Sequence, residues 1–213
     1  MSYTLEELYK IQKKDIKTAC KVLGKAFHND PAWTHVIPNE NMRKRKLPTV
    51  FEYILLYSLK YGMIYASTEN LEGIVAWAPH TTVDPSLWRI LRSGAFRAAL
   101  KMGREIGRKI EKLFKQIDKD RRENMKDRPY LYVQIIGVLP EFQGQGFGGR
   151  LLKPMFAKAD KEGIPIYLET ETEKNVKIYS KYGFQTLKEG LAPDADFHYW
   201  EMIREPQREL ETI

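Results

Sequence analysis

Cysteine is nearly absent from this 213-residue chain, which has only Cys20. A lone cysteine excludes an intrachain disulfide and any structural zinc site built on cysteine pairs. It sits in Ala19-Cys20-Lys21-Val22-Leu23, where a small buried helix residue is the expected role, rather than a nucleophile. The four histidines, His28, His35, His80 and His198, lack ligand spacing such as HExxH, so no metal site is expected. Also missing is any apolar run of the roughly 18 residues that a membrane span needs. The best candidate, residues 50–66, is broken by Glu52 and Lys60. The first residues have neither the basic start nor the apolar stretch of a signal peptide, and a cytoplasmic location is the expectation. There is no internal repeat and no segment of low complexity.

What is present is the composition of a globular protein, with 43% apolar and 30% charged residues. The length fits one domain with a large insertion. A net charge of +7 and a pI near 9.3 suit an acidic partner: nucleic acid, an anionic surface or a polyphosphate cofactor. Residues 84–128 hold fourteen Lys or Arg against seven Asp or Glu, so this segment alone accounts for the whole excess.

Hydrophobic spacing orders the elements. Ile16, Cys20, Leu23 and Phe27 predict a helix that Asn29-Asp30-Pro31 ends, and Leu47, Val50, Phe51, Ile54 and Leu55 predict another over 41–60, with Pro48 weakening its start. Residues 63–66 and 73–78 read as a hairpin. Residues 84–128 read as helical, with Ile106, Ile110, Leu113 and Ile117 on one stripe. Then follow a strand at 130–138, a helix at 148–161 stopped by Gly163, and a strand at 165–169. A short helix at 175–182 closed by Gly183 and strands at 184–188 and 197–203 complete the chain. The tail after Glu205 is polar and expected to fray.

The chemistry concentrates at Gln143-Gly144-Gln145-Gly146-Phe147-Gly148-Gly149, between a strand and a helix. Four glycines in six residues let consecutive amides converge, and a helix start adds a partial positive charge, which suits phosphate. The P-loop pattern GxxxxGK[ST] is absent. Gly144, Gly146 and Gly149 match GxGxxG, with Glu169 about twenty residues on. In that dinucleotide fingerprint the strand runs almost straight into the first glycine, whereas residues 139–143 intervene here, and too little chain follows Glu169 for a second nucleotide-binding half.

The stretch Val138-x-Pro140-x-x-Gln143-Gly144-x-Gly146-x-Gly148, followed by Asn175-x-x-x-Tyr179-x-Lys181-x-Gly183-Phe184, resembles the paired motifs of the GCN5-related N-acetyltransferase (GNAT) superfamily. The likeness is strong over residues 130–204, and residues 26–31 also resemble a phrase near the start of many members. It implies an α/β (α+β) fold: a mixed, mostly antiparallel central sheet flanked by helices, with a helical insertion between the third and fourth strands. Residues 1–213 would form a single acyl-CoA N-acyltransferase domain with its cofactor-binding core at 130–204. The resemblance further implies that amides of Gln143, Gly144, Gln145, Gly146, Phe147 and Gly148 hold the coenzyme A pyrophosphate. Ile136, Gly137 and Val138 would run beside the pantetheine arm. Asn175, Tyr179 and Tyr182 would complete the site.

Acetyl-CoA is then the expected co-substrate, and the acceptor is a small-molecule or peptide amine. Tyr179 is the expected acid, since a phenol stays protonated at neutral pH and can still protonate a thiolate. The strand at 132–136 holds no carboxylate, so Glu169 is the candidate base, with Glu171, Asp196 and His198 behind it. A backbone N–H near Ile136, if the strand bulges there, would face the oxyanion. The basic segment 84–128 suits a solvated amphipathic pair, because Glu105, Glu111, Asp118 and Glu123 interleave its positive charges; it would also serve as a lid. Neither membrane insertion nor nucleic acid is expected, and a homodimer is left open. The competing reading is a non-catalytic acyl-CoA sensor or a nucleic-acid-interacting module of the same fold.

Overall fold

The computed structural model describes residues 4–207. The start of the chain at 1–3 and most of the tail expected to fray, at 208–213, lie outside the described residues. Strands β1 (Tyr9–Lys10), β2 (Met63–Ala66), β3 (Gly73–Pro79), β4 (Leu131–Val138), β5 (Ile166–Thr170), β6 (Gln185–Leu191) and β7 (His198–Arg204) form one sheet in the order β1-β2-β3-β4-β5-β7-β6. Only the β4–β5 pairing is parallel. The helices are α1 (Ile16–Ala26), α2 (Pro31–Val36), α3 (Glu40–Tyr61), α4 (His80–Val83), α5 (Leu87–Ser93), α6 (Ala95–Met102), α7 (Arg104–Asn124), α8 (Phe147–Glu162) and α9 (Glu173–Ser180). The mixed, mostly antiparallel sheet and the helical segment between the third and fourth strands are therefore as expected.

Alternation along the strands builds two apolar layers. Ile74 and Ala76 of β3 join α1, α3 and α7, whereas Val75 and Trp77 join α8 on the opposite face. Each fully buried leucine or phenylalanine, such as Leu23, Phe51 or Leu55, contributes roughly 1.5–3 kcal/mol. β4 breaks the alternation. Val133 pairs with Trp77 and faces α8, but Ile135 pairs with Ala76 and faces α1, so Gln134 is an extra residue and a β-bulge. The strand therefore does bulge, at Gln134, two residues before Ile136, which itself pairs regularly with Val75.

Three local expectations change. Asp30 does more than follow a helix: it caps α2, its carboxylate accepting from the Ala32 amide at 3.0 Å with Pro31 in the first turn. Pro48 lies inside an uninterrupted α3, where it leaves the Lys44 carbonyl without its helical donor. Gly24 of α1 packs on its ring, where a Cβ would lie a tight 3.1 Å from the proline side chain. The edge strand β1 has only two residues, too short to show a period. Cys20 is buried as expected, and burial raises its thiol to about 12, which makes it inert at neutral pH.

Helix α7 is part of the core rather than a solvated appendage. Ile106, Leu113 and Ile117 are buried, and its polar side chains bind the far sheet. Asn124 donates to Glu201 at 2.7 Å, and Lys188 and Tyr199 donate to Asp120 at 2.5 and 3.0 Å. Arg121, 1% exposed, donates to Tyr130, Asp84 and Asp118 and stacks on Tyr132. Replacing Arg121 with alanine should lower the unfolding free energy in urea by about 3 kcal/mol, the low end for breaking a buried ion pair, because its carboxylate partners reach solvent. Arg128→Ala, which loses an exposed pair with Glu205, should cost about 1 kcal/mol or less in the same titration.

Candidate active site

β4 and β5 stay together for only two residue pairs, Leu131 with Ile166 and Tyr132 with Tyr167. Beyond Tyr132 the strands part, and β4 runs on to Val138 with no strand on its β5 side among the described residues. Alternate amides and carbonyls of this edge are left to whatever enters the wedge. Gly137 packs under Leu23 of α1 and Phe27 just after it, and Val138 lies beside Leu151 against Gly73, so the C-terminal end of the edge is packed on both faces.

The chain then turns through residues 139–143 into the glycine-rich loop. Gln143 and Gln145 tie it down through side-chain bonds to the carbonyls of Val138 and Glu141, at 3.1 and 2.9 Å. Gly144 and Gly146 take φ of +78° and +86°, values that strain any side chain. The amides of residues 144–149 donate to no acceptor among the described residues, and Gly146 caps α8 with no side chain to satisfy them. They form a row of free donors at the positive end of a 16-residue helix. Gly149 serves packing instead, since a Cβ there would lie 2.4 Å from the Tyr182 hydroxyl.

At the other end of the open edge is a cavity of about 90 Å³. Its walls are residues 132–136 of β4 and 168–170 of β5, closed by Phe27, Trp33 and Phe114. Asn175 and Tyr179 of α9 border it, as do Asp30, Glu169 and Glu171. Tyr182 does not border the cavity; it packs between Gly149, at the end of the glycine-rich loop, and the Phe156 ring. Asp196 and His198 do not border the cavity either; His198 pairs with Glu189 at 2.8 Å on an exposed strand. Asn175 is held by a bond to the Thr170 hydroxyl at 3.0 Å. The Tyr179 hydroxyl makes no hydrogen bond among the described residues.

The cavity is electrically unusual because three carboxyl groups share it. Burial raises Glu169 to about 8; the hydrogen-bonded Tyr132 hydroxyl and the Arg121 charge oppose the shift, and Asp118 and Glu201 add to it. One Glu169 oxygen is buried with no partner. Burial also raises Glu171 and Asp30, and Asp30 adds its repulsion to Glu171. Tyr179 is raised by burial, then by Glu171 and Asp30, and stays a phenol throughout the working range. Sequence reasoning missed Asp30, Trp33 and Phe114 as site residues. Asp30 carried a signal, since it lies in the phrase at residues 26–31 that resembles other family members.

Comparison with known proteins adds the lineage. The Acetyltransferase (GNAT) domain family matches residues 103–186. An uncharacterized N-acetyltransferase of Schizosaccharomyces pombe is 31% identical over 181 residues, covering 82% of this chain and 72% of the relative. The chain belongs to the GNAT acetyltransferase family. Among solved structures, the GNAT fold seen here resembles histone acetyltransferase HPA2 and related acetyltransferase from Corynebacterium glutamicum, with a TM-score of 0.66, 20% identity and 99% of each chain covered. It also resembles arylalkylamine N-acetyltransferase 2 of Aedes aegypti, with a TM-score of 0.61, 13% identity, and 94% and 98% of the two chains covered. At those identities the likeness is one of fold.

The raised carboxyls in this GNAT chain make its stability depend on pH in a definite direction. Between the ordinary carboxylate value of 4.5 and about 8, unfolded Glu169 has lost its proton while folded Glu169 keeps it. The folded state then binds more protons, so stability falls as pH rises through this window. The unfolding free energy should drop between pH 5 and 8, and Glu169→Gln should remove a few kcal/mol of that drop. Equal pH slopes for the two proteins in urea titrations would contradict the assignment.

Proposed function

We propose that this chain acts as a single-domain, cytoplasmic N-acetyltransferase that moves an acetyl group from acetyl-CoA to a primary amine. One observation carries the reading: the cradle of unpartnered amides at 144–149 and the unpaired edge of β4 lead continuously to a cavity holding a raised carboxyl and a free phenol. A pyrophosphate fits the cradle, where donors and the helix end both favour negative charge. A pantetheine arm fits the edge, because its amides repeat the donors and acceptors of a neighbouring strand. The thioester supplies an activated acyl group.

In this reading Glu169 takes a proton from the attacking nitrogen as it bonds to the carbonyl carbon, and Tyr179 gives one to the sulfur as the C–S bond breaks. A carboxyl held near 8 suits the base, since it lies close to the working pH and nearer to an amine than an ordinary carboxylate does. A β4 amide beside the Gln134 bulge would donate to the oxyanion. Phe27, Trp33 and Phe114 on one wall, with Asp30 and Glu171 beside them, favour an acceptor with an apolar body and a positive nitrogen. The Aedes aegypti neighbour, whose acceptors are arylalkylamines, supports that choice.

Release of thiol from acetyl-CoA against a panel of arylalkylamines and aliphatic amines tests the proposal. Turnover should rise with pH to a plateau with a midpoint near 8, as Glu169 ionises. Tyr179→Phe should lower kcat by roughly 10²-fold or more with little change in coenzyme A affinity. Tight coenzyme A binding without thiol release on any amine would point to a sensor instead. Coenzyme A should also raise the thermal midpoint, whereas NAD should not; Gly146→Ala should weaken that response, since the left-handed backbone strains alanine by about 1–2 kcal/mol.

A further inference from the structure

Helices α5 and α6 form a surface that the proposed chemistry does not use. Both lie along α3: Lys60 donates to the Arg92 carbonyl near its C-terminal end, and Lys46 to the Lys101 carbonyl nearer its start. Ala98 and Met102 of α6 are buried. The opposite faces present Leu87, Trp88 and Leu100, between 66% and 69% exposed, with Leu91 and Phe96 beside them. On α5 the exposed apolar positions are i, i+1 and i+4, one side of a helix. Five exposed large apolar side chains on two adjacent short helices form a patch of the kind that marks an interaction site.

Charge says what covers it. Residues 85–104 hold Arg89, Arg92, Arg97, Lys101 and Arg104 and not one Asp or Glu. Of the seven acidic residues of the longer segment, Glu105, Glu111, Asp118, Asp120 and Glu123 lie on α7, Asp127 follows it, and Asp84, just before α5, is paired with Arg121 and Arg122. Arg92, Arg97 and Arg104 make no side-chain hydrogen bond or ion pair among the described residues. Lys101 is paired with Glu52 of α3, but the free arginines leave the face with net positive charge, and a second copy docking through the same patch would bring two such faces together. Nucleic acid would satisfy the arginines and leave three exposed leucines without a partner. An anionic bilayer surface meets both needs, taking the leucines and Trp88 at the acyl boundary and the arginines among the headgroups. No helix among the described residues is long and apolar enough to cross a membrane.

We propose that α5 and α6 are an interfacial platform that docks this protein on anionic phospholipid membranes. The full chain should cosediment with vesicles of two parts phosphatidylcholine to one part phosphatidylserine, and only weakly with phosphatidylcholine alone. About 0.5 M salt should release it, since screening is then strong. Trp88 reports contact directly: brominated lipid should quench it and leave buried Trp33 and Trp77 bright. Arg92→Glu with Arg97→Glu should reduce partitioning about tenfold or more, and Leu91→Ser with Leu100→Ser severalfold, at unchanged thermal midpoint and unchanged thiol release. Indifference to the charge reversal, equal binding to neutral vesicles, or absence of Trp88 quenching would overturn the proposal. So would a dimer that Leu91→Ser dissociates, or a duplex DNA that displaces the protein from vesicles and binds the leucine variant equally well.

Discussion

One extra residue in β4 governs the geometry of this protein. Gln134 has no counterpart on β3, and the bulge moves every later side chain of β4 to the other face. A bulge also sharpens the local twist. Only Leu131 and Tyr132 pair with β5, and from there the sheet opens into a wedge. The wedge holds the cavity, frees the edge of β4 and directs that edge into the glycine-rich loop. Ser58, buried in α3, donates to the Gln134 side chain at 2.6 Å and fastens the extra residue in place.

Burying acid is the second constraint. Glu169, Glu171 and Asp30 share a small space, and each is easier to hold neutral than ionised. Glu201 shows the same physics on the outer strands, where burial raises it to about 7 while bonds from Tyr167 and Asn124 pull the other way. The two groups differ in place. Each keeps one buried oxygen without a partner, but Glu201 accepts from Asn124 and Tyr167 through the other and so braces α7 to the sheet, whereas Glu169 borders the cavity, where a substrate can reach it. Residues 84–128 divide in the same way. α7 belongs to the core and carries Phe114 to the cavity wall, whereas α5 and α6 turn their apolar side chains outward.

Much of the fold was legible because long-period patterns survive in the chain. The stripe in α1, the stop at Gly163 and the β-rich run of β4 follow from spacing and turn chemistry alone, and each lies within two residues of its expected bounds. What escaped was short or non-local. β1 has two residues, and α2 follows directly on a helix-ending proline that is also a good first helical residue. Tyr182 stands by the glycine-rich loop rather than the cavity: its hydroxyl lies against Gly149, a contact between distant parts of the chain that no spacing displays.

The sequence by itself determined the family, the glycine cradle and the phenol, because these depend on residue types at short, fixed separations along one strand, loop and helix. Tertiary structure alone decided that Asp30 meets Glu171 across the cavity, that burial favours the protonated form of Glu169, and that Asp84, beside the exposed leucines in the chain, is held by Arg121 and Arg122 of α7. Charge and burial depend on distance in space, and nothing in the linear order records which carboxylates share one wedge of a sheet that a single added residue has opened.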